Sequence, residues 1–169
     1  IIGGGLIGVE TCEALVNRNI SVTLIEIEEQ ILAMLDQQLG KLVENHMKAK
    51  GAKIITGTGV KAFTGENGKL AGVELADGST LPCELAIVAT GVQPLSDLAQ
   101  TAGLKIGALG GIEVDEFMQT SDPSIYAAGD CVECVNMITG NKVLTPMGDT
   151  ANLQGRVAGE NAAAGNSEI

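Results

Sequence analysis

The residues whose types and spacing most suggest chemistry stand at the start of the sequence, IIGGGLIGVE, where Gly3, Gly5 and Gly8 form a G-x-G-x-x-G pattern. In this pattern the first glycine permits a tight turn, the second lets a pyrophosphate approach the backbone, and the third lets helix and strand pack closely. The helix that follows offers free N–H groups and a partial positive charge to phosphates. The alternative is a glycine-rich turn without a ligand. We favour dinucleotide binding because a helix, a second strand and an acidic residue follow in the expected order.

The acidic residue is Glu26, which ends the strand ISVTLI (residues 20–25), 18 positions after Gly8. A carboxylate at this position can accept hydrogen bonds from an adenosine ribose, and it would repel a 2′-phosphate. No arginine lies near it, so we predict NAD(H) rather than NADP(H); the alternative is a solvated acid at a strand end. Glu10, two residues after Gly8, is either a surface charge favoured by the helix dipole or a nicotinamide contact, and its position leaves both open.

A third feature is TSDPSIYAAGD, residues 120–130, which ends on Asp130. A strand that ends in Gly-Asp places a carboxylate at the carboxyl edge of a parallel sheet, where ligands bind. Asp130 could accept hydrogen bonds from a polyol chain, or it could simply cap a turn.

Four cysteines are present, and Cys131 and Cys134 form a C-x-x-C pair. A structural zinc site would need two further ligands, and the single histidine, His46, belongs to a different and solvated helix position. A redox pair normally opens a helix, which lowers the pKa of its first thiol. We therefore favour ordinary thiols over a dithiol and expect no metal site. Cys12 and Cys83 are interpreted as small buried apolar residues.

The composition restricts the class of protein and its partners. It is 45% hydrophobic but 2% aromatic, a mixture that suits parallel sheets flanked by helices. With a net charge of −11 and no basic run, we expect no nucleic-acid partner. No apolar stretch reaches the ~18 residues of a membrane span, and the cysteine usage is that of a reducing compartment, so we expect no membrane partner and a cytoplasmic location.

The elements that position these residues follow from hydrophobic periodicity and turn residues. The predicted helices are residues 6–16, 36–50, 95–103 and 149–164, and the stripe of the second consists of Leu39, Leu42, Val43 and Met47. From Lys53 onward, alternating segments separated by Gly-Thr-Gly, Glu-Asn-Gly and Ala-Asp-Gly indicate an antiparallel meander. The segments 85–90 and 125–130 are predicted to be buried strands. The fold class is α/β: a Rossmann-like parallel sheet with helices and an inserted antiparallel β-meander.

Taken together, these stretches resemble the FAD-dependent pyridine nucleotide-disulfide oxidoreductases, in particular the branch of NADH oxidase, NADH peroxidase and coenzyme A-disulfide reductase. Five segments carry the resemblance in the right order. They are GGGLIGVE (3–10), VTLIE (22–26), VATGVQP (88–94), TSDPSIYAAGDC (120–131) and TPMGDTANLQGRVAGENAA (145–163). The resemblance implies an NAD-binding domain over residues 1–92 and the C-terminal part of a split, here incomplete, FAD-binding domain over residues 93–169.

The resemblance also implies a role for each matching residue. Gly3, Gly5, Leu6, Ile7 and Gly8 would surround the NADH pyrophosphate, Glu26 would hold the adenosine ribose, and Glu10 and Gly91 would lie along the nicotinamide. Asp130 would bind the ribityl chain of FAD, and Met147, Gly148 and Asp149 would meet the isoalloxazine. The family commonly has small neutral residues where this chain has Asp149. The implied reaction is hydride transfer from NADH to flavin and then to a disulfide, peroxide or oxygen.

No residue of this chain matches the redox-active cysteine of the family, so no catalytic residue is assigned and that cysteine is expected in an upstream segment. Several apolar residues are likewise expected before Ile1, completing a central strand. We expect the full-length protein to be a homodimer and this chain alone to be inactive. Residues 93–169 are expected to expose apolar surface and to promote association.

Two other functions stay open. A ferredoxin- or rubredoxin-type NADH reductase shares the GGG…E and AAGD motifs but passes electrons to a protein, and an upstream redox cysteine would argue against it. A non-enzymatic NAD-sensing module is the alternative of another class, and a regulatory domain elsewhere in the gene would favour it.

Overall fold

The computed structural model describes residues 1–163. The chain divides into two compact units, Ile1–Gly91 and Val92–Ile169, called the first and second unit below. The first unit contains α1 (Leu6–Val16), β1 (Thr23–Ile25), α2 (Gln37–Ala49), β2 (Lys53–Ile55), β3 (Val60–Glu66), β4 (Lys69–Leu75) and β5 (Thr80–Pro82). The second unit contains α3 (Asp97–Thr101), β6 (Ile112–Glu113), β7 (Val132–Val135), β8 (Lys142–Val143) and α4 (Gly148–Ala162).

A short parallel sheet forms the centre of the first unit. β1 and β2 pair in parallel. On the other side of β1, Ile2 forms parallel bridges with both Ile25 and Val88. The order across the sheet is therefore β2, β1, Ile2, Val88. Together with the flanking helices and the antiparallel sheet described below, this confirms the predicted α/β class with a parallel sheet and an inserted meander.

The two faces of this sheet are covered by different elements, because successive residues of a strand point to opposite sides. Leu24 belongs to a core cluster with Cys12 of α1 and Met47 of α2. The next residue, Ile25, belongs instead to a cluster with Val73 and Leu75 of β4. Helices thus cover one face of the sheet and the antiparallel strands cover the other.

The helix α1 has the predicted bounds, whereas α2 buries a face different from the predicted one. The buried residues of α2 are Gly40, Glu44 and Met47, with Val43 packed beside them. Leu39 and Leu42 of the predicted stripe are exposed, Leu42 by 67%. At 100° per residue, these leucines fall on a neighbouring face of the helix, so half of the predicted stripe was wrong.

The antiparallel meander is confirmed for β3, β4 and β5, which pair in that order. Its first predicted segment is corrected: Lys53–Ile55 pairs in parallel with β1 and belongs to the central sheet. Gly57 and Gly59 separate it from β3, and Gly57 has a positive φ of 72°. The chain therefore changes direction between the two sheets at Thr-Gly-Thr-Gly.

The predicted buried strand at residues 85–90 is corrected as well. Only Val88 forms a bridge, and Leu85 and Val88 are exposed by 70% and 60%. The reason is geometric: the neighbouring segment is Ile1–Gly3, so Ile2 alone provides both hydrogen bonds, accepting from Ala89 at 2.7 Å and donating to Ile87 at 2.8 Å.

The second unit is built from shorter elements. β6 and β7 are parallel, β7 and β8 are antiparallel, and Ile112 and Val132 form a core cluster with Ala99 of α3. The predicted buried strand at 125–130 is corrected to an extended segment, in which Tyr126 bridges Gln119. This bridge is the only pairing of the segment among the described residues, because turns interrupt the chain before residue 125 and after residue 128.

Two expectations concern the surface and the end of this unit. The predicted exposure of apolar side chains is confirmed: Leu95, Leu98, Met137 and Ile138 are each exposed by more than 80%. The last helix ends at Ala162, and Ala164, its predicted end, lies outside the described residues.

Within residues 1–163, no helix combines the length and the apolar character needed to cross a membrane.

Candidate functional site

The glycine-rich turn and the acid at the end of β1 are in direct contact. The backbone N–H of Gly4 donates a hydrogen bond to Glu26 Oε2 at 2.5 Å. The other carboxylate oxygen, Oε1, accepts from the backbone N–H of Glu28 at 2.9 Å. Each oxygen uses one acceptor position in this way and keeps another. The carboxylate is therefore fixed beside the turn and can still accept hydrogen bonds from a ligand.

The glycines of the turn differ in what surrounds them. A Cβ on Gly3 would overlap the carbonyl oxygen of Ala89, and Gly3 has a positive φ of 106°. A Cβ on Gly8 would overlap the carbonyl oxygen of Gly3. Around Gly5, by contrast, no heavy atom of the described residues lies within 4 Å of that position. Gly3 and Gly8 are required by close packing, whereas Gly5 faces open space, as the approach of a phosphate requires.

The start of α1 adds unpaired donors to this open space. Gly5 is the N-cap residue, and no side chain caps the helix. No acceptor among residues 1–163 pairs with the backbone N–H groups of Leu6 and Ile7. Such groups carry the partial positive charge of the helix N-terminus and attract anions. The turn and the start of α1 thus provide N–H donors that can bind an anion, and Glu26 provides a carboxylate acceptor beside them.

Two further candidates of the first unit form no hydrogen bond with the glycine turn or with Glu26 among the described residues. The side chain of Glu10 is exposed on the second turn of α1. Gly91 is exposed, has a positive φ of 113°, and follows the Val88 bridge by three residues. No contact of the described residues brings either one to Glu26, so their roles stay predictions.

In the second unit, the candidates are on two neighbouring elements. Asp130 is exposed at the turn before β7. Met147 is the N-cap of α4 without a side-chain cap, and the exposed Gly148 and Asp149 begin the helix. The carboxylate of Asp149 accepts a hydrogen bond from the backbone N–H of Thr150 at 2.8 Å, so this acid is engaged with its own helix. The free helix start and the exposed Asp130 are compatible with an anionic, polyol-bearing ligand.

The C-x-x-C pair lies at the start of a strand. Cys131 precedes β7 and Cys134 lies within it, and both are free thiols. Their sulfurs contact different carbonyl oxygens, Ala128 at 3.5 Å and Val143 at 3.7 Å. Residues three apart in a strand are roughly 10 Å from each other, whereas a disulfide needs Cα atoms about 4.4–6.8 Å apart. This geometry favours two independent thiols. In the described residues, no cluster of three or more His, Cys, Asp or Glu could hold a metal ion.

A cavity of about 630 Å³ in the first unit is separate from these candidates. Its lining is mainly apolar and includes Ile1, Leu15, Val73 and Leu81. None of the candidate residues lines it, so it gives no support to the site at the glycine turn.

Comparison with known families decides the classification of the chain. The model of the family "Pyridine nucleotide-disulphide oxidoreductase" matches residues 1–155. The chain belongs to this family. Both units contribute to the match, so the resemblance found in the five motifs is confirmed.

Individual members of the pyridine nucleotide-disulphide oxidoreductase family are similar over nearly all of the chain. An NADH oxidase of Methanocaldococcus jannaschii is 40% identical over 164 residues, which are 96% of this chain and 36% of that protein. The structure of an NAD-dependent persulfide reductase from A. fulgidus has a TM-score of 0.95 and 46% identity, covering 99% of this chain and 31% of that one. A water-forming NADH oxidase from Lactobacillus brevis, bound to NADH, has a TM-score of 0.90 and 27% identity, covering 99% and 37%. The chain thus spans about a third of the length of these oxidoreductases.

Two residues that bear on the candidate site were not predicted from the sequence. Gly4 is the donor to Glu26, and the run of three glycines at 3–5 could have drawn attention to it. Gln154 of α4 accepts a hydrogen bond from the backbone of Gly129, next to Asp130. No sequence signal separates this glutamine from a solvent-facing one.

Proposed function

We propose that the chain is the NAD(H)-binding unit, together with part of the FAD-binding unit, of a longer FAD-dependent NADH oxidoreductase. The first unit would bind NAD(H), and the second would supply one part of the flavin site. Family membership and the share of its relatives that the chain spans support this reading. The observation that carries it is the hydrogen bond between Gly4 and Glu26, which joins an anion-binding turn to a ribose acceptor.

NAD(H) would be held by the groups that the first unit leaves free. The N–H groups at the start of α1 would bind the pyrophosphate, and the open position at Gly5 would let it reach the backbone. The remaining acceptor positions of Glu26 would take the ribose hydroxyl groups. A 2′-phosphate would meet this carboxylate and the exposed Glu28, so NADPH would bind weakly.

FAD would meet the second unit at two elements. Asp130 would accept hydrogen bonds from the ribityl hydroxyl groups, and the uncapped start of α4 at Met147–Asp149 would face the isoalloxazine. When bound, NADH supplies a hydride and FAD accepts it. The residues of this chain bind and orient the cofactors, and none of them is assigned a catalytic role.

The final electron acceptor of the full-length protein would be a small disulfide or persulfide, a peroxide or oxygen. Relatives named as NADH oxidase and as persulfide reductase support this range. A redox-active cysteine would come from another segment, since no residue of this chain matches the family's redox-active cysteine and the contacts of Cys131 and Cys134 favour two independent thiols. We further propose a homodimer, a cytoplasmic location consistent with four free cysteines, and no nucleic-acid or membrane partner.

The cofactor preference is tested by titrating the full-length protein with NADH and with NADPH and following nucleotide fluorescence. NADH should bind at least about tenfold more tightly, because NADPH replaces a hydroxyl group that donates to the Glu26 carboxylate by a phosphate that this carboxylate repels. Equal affinities would contradict the assignment of Glu26.

The proposal that this chain supplies only part of the flavin site is tested on the 169-residue chain itself, with added FAD and NADH. We expect no stoichiometric retention of flavin absorbance and no NADH consumption, because part of the flavin site would be lacking. Stoichiometric flavin together with oxidase activity would contradict the proposal.

A further inference from the structure

The helix α4 buries an unusual pair of side chains. Within the described residues of this helix, the two buried ones are Gln154 and Asn161, both amides. They are seven positions apart and therefore lie on one face of the helix. Each bonds to the backbone of a different loop: Gln154 to Gly129, and Asn161 to the carbonyl oxygen of Phe117 at 3.0 Å. Directional hydrogen bonds, rather than apolar packing alone, thus fix α4 against these loops.

The contact at Gln154 is close and enclosed. Its side-chain Oε1 accepts a hydrogen bond from the backbone N–H of Gly129 at 2.8 Å, and the residue is 3% exposed. Gly129 also lies against the preceding turn of the helix, since a Cβ added to it would be 3.5 Å from Cβ of Ala151. Its positive φ of 86° sets the turn that presents Asp130. One turn of α4 therefore contacts and hydrogen-bonds the residue directly before Asp130.

We propose that Gln154 is a positioning residue for the flavin: its amide oxygen ties the Gly129–Asp130 turn to α4, so that Asp130 and the start of α4 are presented to FAD as one rigid element. The inference rests on the proposed flavin-binding role of the second unit. It adds a residue that does not touch the cofactor and acts through Gly129.

The physical reason is the direction of the hydrogen bond. Hydrogen bonds prefer donor–H–acceptor angles above about 150°, so an amide oxygen fixes the orientation of the Gly129 peptide as well as its distance. An apolar side chain of equal length would fill the space but leave the half-buried N–H of Gly129 without its acceptor. The turn would keep the hydrogen bond from Val132 to the carbonyl oxygen of Gly129 but would lose its tie to α4, so the orientation of Asp130 relative to this helix would be less fixed.

The test uses the full-length protein with three substitutions. Gln154→Met keeps the length of the side chain but removes the acceptor, and Gln154→Glu keeps an acceptor oxygen. Asn161→Leu is the matched control, because it removes the other buried amide from the same face of α4. The measured quantities are the dissociation constant of FAD, the position and fine structure of the bound flavin's absorption band, and the midpoint of urea unfolding.

We expect Gln154→Met to weaken FAD binding about tenfold, as for the loss of a buried hydrogen bond, and to shift the flavin band. Gln154→Glu should restore FAD affinity to within about threefold of the wild type, since a carboxylate oxygen accepts from the same N–H group. Asn161→Leu should lower the unfolding midpoint while leaving the FAD affinity and the flavin band unchanged. A Gln154→Met protein with wild-type affinity and band would overturn the inference. Equal loss of affinity in Gln154→Met and Asn161→Leu would overturn it too, because it would indicate a general structural role.

If Gln154→Met does not fold, hydrogen exchange on the wild-type protein decides the question. On adding FAD to the apoprotein, the peptides that contain Gly129–Asp130 and the first two turns of α4 should gain protection together. Protection of one peptide alone would overturn the inference. A wild-type protein that binds no FAD would instead contradict the proposed function, so the two failures are distinguishable.

Discussion

The carboxylate of Glu26 lies 2.5 Å from the backbone nitrogen of Gly4. The glycine-rich turn therefore fixes the acid that follows β1, and both would bind the same ligand. This contact fixes the side chain before any ligand arrives. A preorganised acceptor loses little side-chain entropy on binding, which favours affinity.

Replacing Glu26 by Gln should therefore change both affinity and cofactor preference. We expect NADH to bind roughly tenfold more weakly, because hydrogen bonds to a charged acceptor contribute about 1.5–3 kcal/mol. NADPH should bind more tightly than it does to the wild type, since a repelling charge is removed. Fluorescence titration of both nucleotides measures this. Glu28→Gln, a change at an exposed carboxylate two residues away, is the control and should leave the NADH affinity unchanged. Similar losses in both variants would argue against a specific role of Glu26.

Alanine substitutions at two glycines of the turn should separate ligand binding from folding. At Gly8, a Cβ would overlap the carbonyl oxygen of Gly3. We expect Gly8→Ala to lower the free energy of unfolding by about 1–3 kcal/mol, the typical cost of overpacking, even though alanine favours helices. At Gly5, the Cβ would meet no neighbour, so Gly5→Ala should cost only the N-cap preference of glycine over alanine, less than about 1 kcal/mol, while weakening NADH binding. Urea unfolding and NADH titration of both variants test this contrast. Equal stability losses would contradict it.

The ion pairs of Glu44 should make stability depend on pH. Its carboxylate accepts hydrogen bonds from Nζ of Lys48 at 2.6 Å and of Lys41 at 3.0 Å, and the bond from Lys48 is the main cause that lowers the pKa of Glu44. Because the pKa is lower in the folded state, the stabilisation is fully present above the unfolded-state pKa and is lost as pH falls through the folded-state pKa. We expect Glu44→Gln to reduce the free energy of unfolding at pH 7 by about 0.5–1 kcal/mol, the range for pairs with exposed partners.

Urea unfolding of the wild type and of this variant at several pH values measures the effect. The difference between them should shrink in acid. Lys48→Met should remove more of the pH dependence than Lys41→Met, and the reverse order would contradict the assignment. A constant difference at all pH values would mean that packing, not charge, is lost in Glu44→Gln.

The thiol of Cys12 should be unreactive in the folded protein. The residue is fully buried in the core cluster of α1, and burial raises the pKa of its thiol, so little thiolate is present at pH 8. We expect alkylation of Cys12 to be at least about tenfold slower than that of Cys131 and Cys134, which are less buried. Mass spectrometry of alkylated peptides measures the rates, and in urea the difference should disappear. Equal labelling of the folded protein would show that α1 opens readily.

Sequence patterns predicted the elements whose local signals agree with their surroundings. The bounds of α1 follow from the glycine turn before it and the polar Asn17-Arg18-Asn19 after it. The hairpin β3–β4 follows from its Asn-Gly turn. These signals are local, and the tertiary packing of both elements agrees with them.

The errors arose where a distant contact decides the outcome. The carboxylate of Glu44 pairs with two lysines of its own helix, which makes its burial possible. The buried face of α2 is set by more distant contacts: Gly40 lies against Ile31, and Met47 belongs to the core cluster with Leu24, while Leu39 and Leu42 are exposed. Periodicity ranks a glutamate as exposed and a leucine as buried, and here both rankings fail. Gln154 escaped for the same reason, since its partner, Gly129, is 25 residues away.

The candidate site was predictable in type but not in detail. Glycine spacing and the position of Glu26 predicted an anion-binding turn and an acid at the end of the next strand, while the contact between Gly4 and Glu26 and the open space at Gly5 needed coordinates. All the cofactor-binding assignments stay predictions, and for Glu10, Gly91 and Asp149 no described contact ties the residue to the other candidates.

The bridge between Ile2 and Val88 has a consequence for the order of folding. It joins residues from opposite ends of the first unit, so on the ribosome the parallel sheet cannot close until residue 88 has been synthesised. The hairpin β3–β4, by contrast, pairs residues at most 15 positions apart and can form as soon as it emerges. Local pairings form faster than distant ones because less loop entropy is lost. The hairpin β3–β4 is therefore expected to form rapidly once it has emerged, and the pairing of Ile2 with Val88 is expected to be the last step in this sheet.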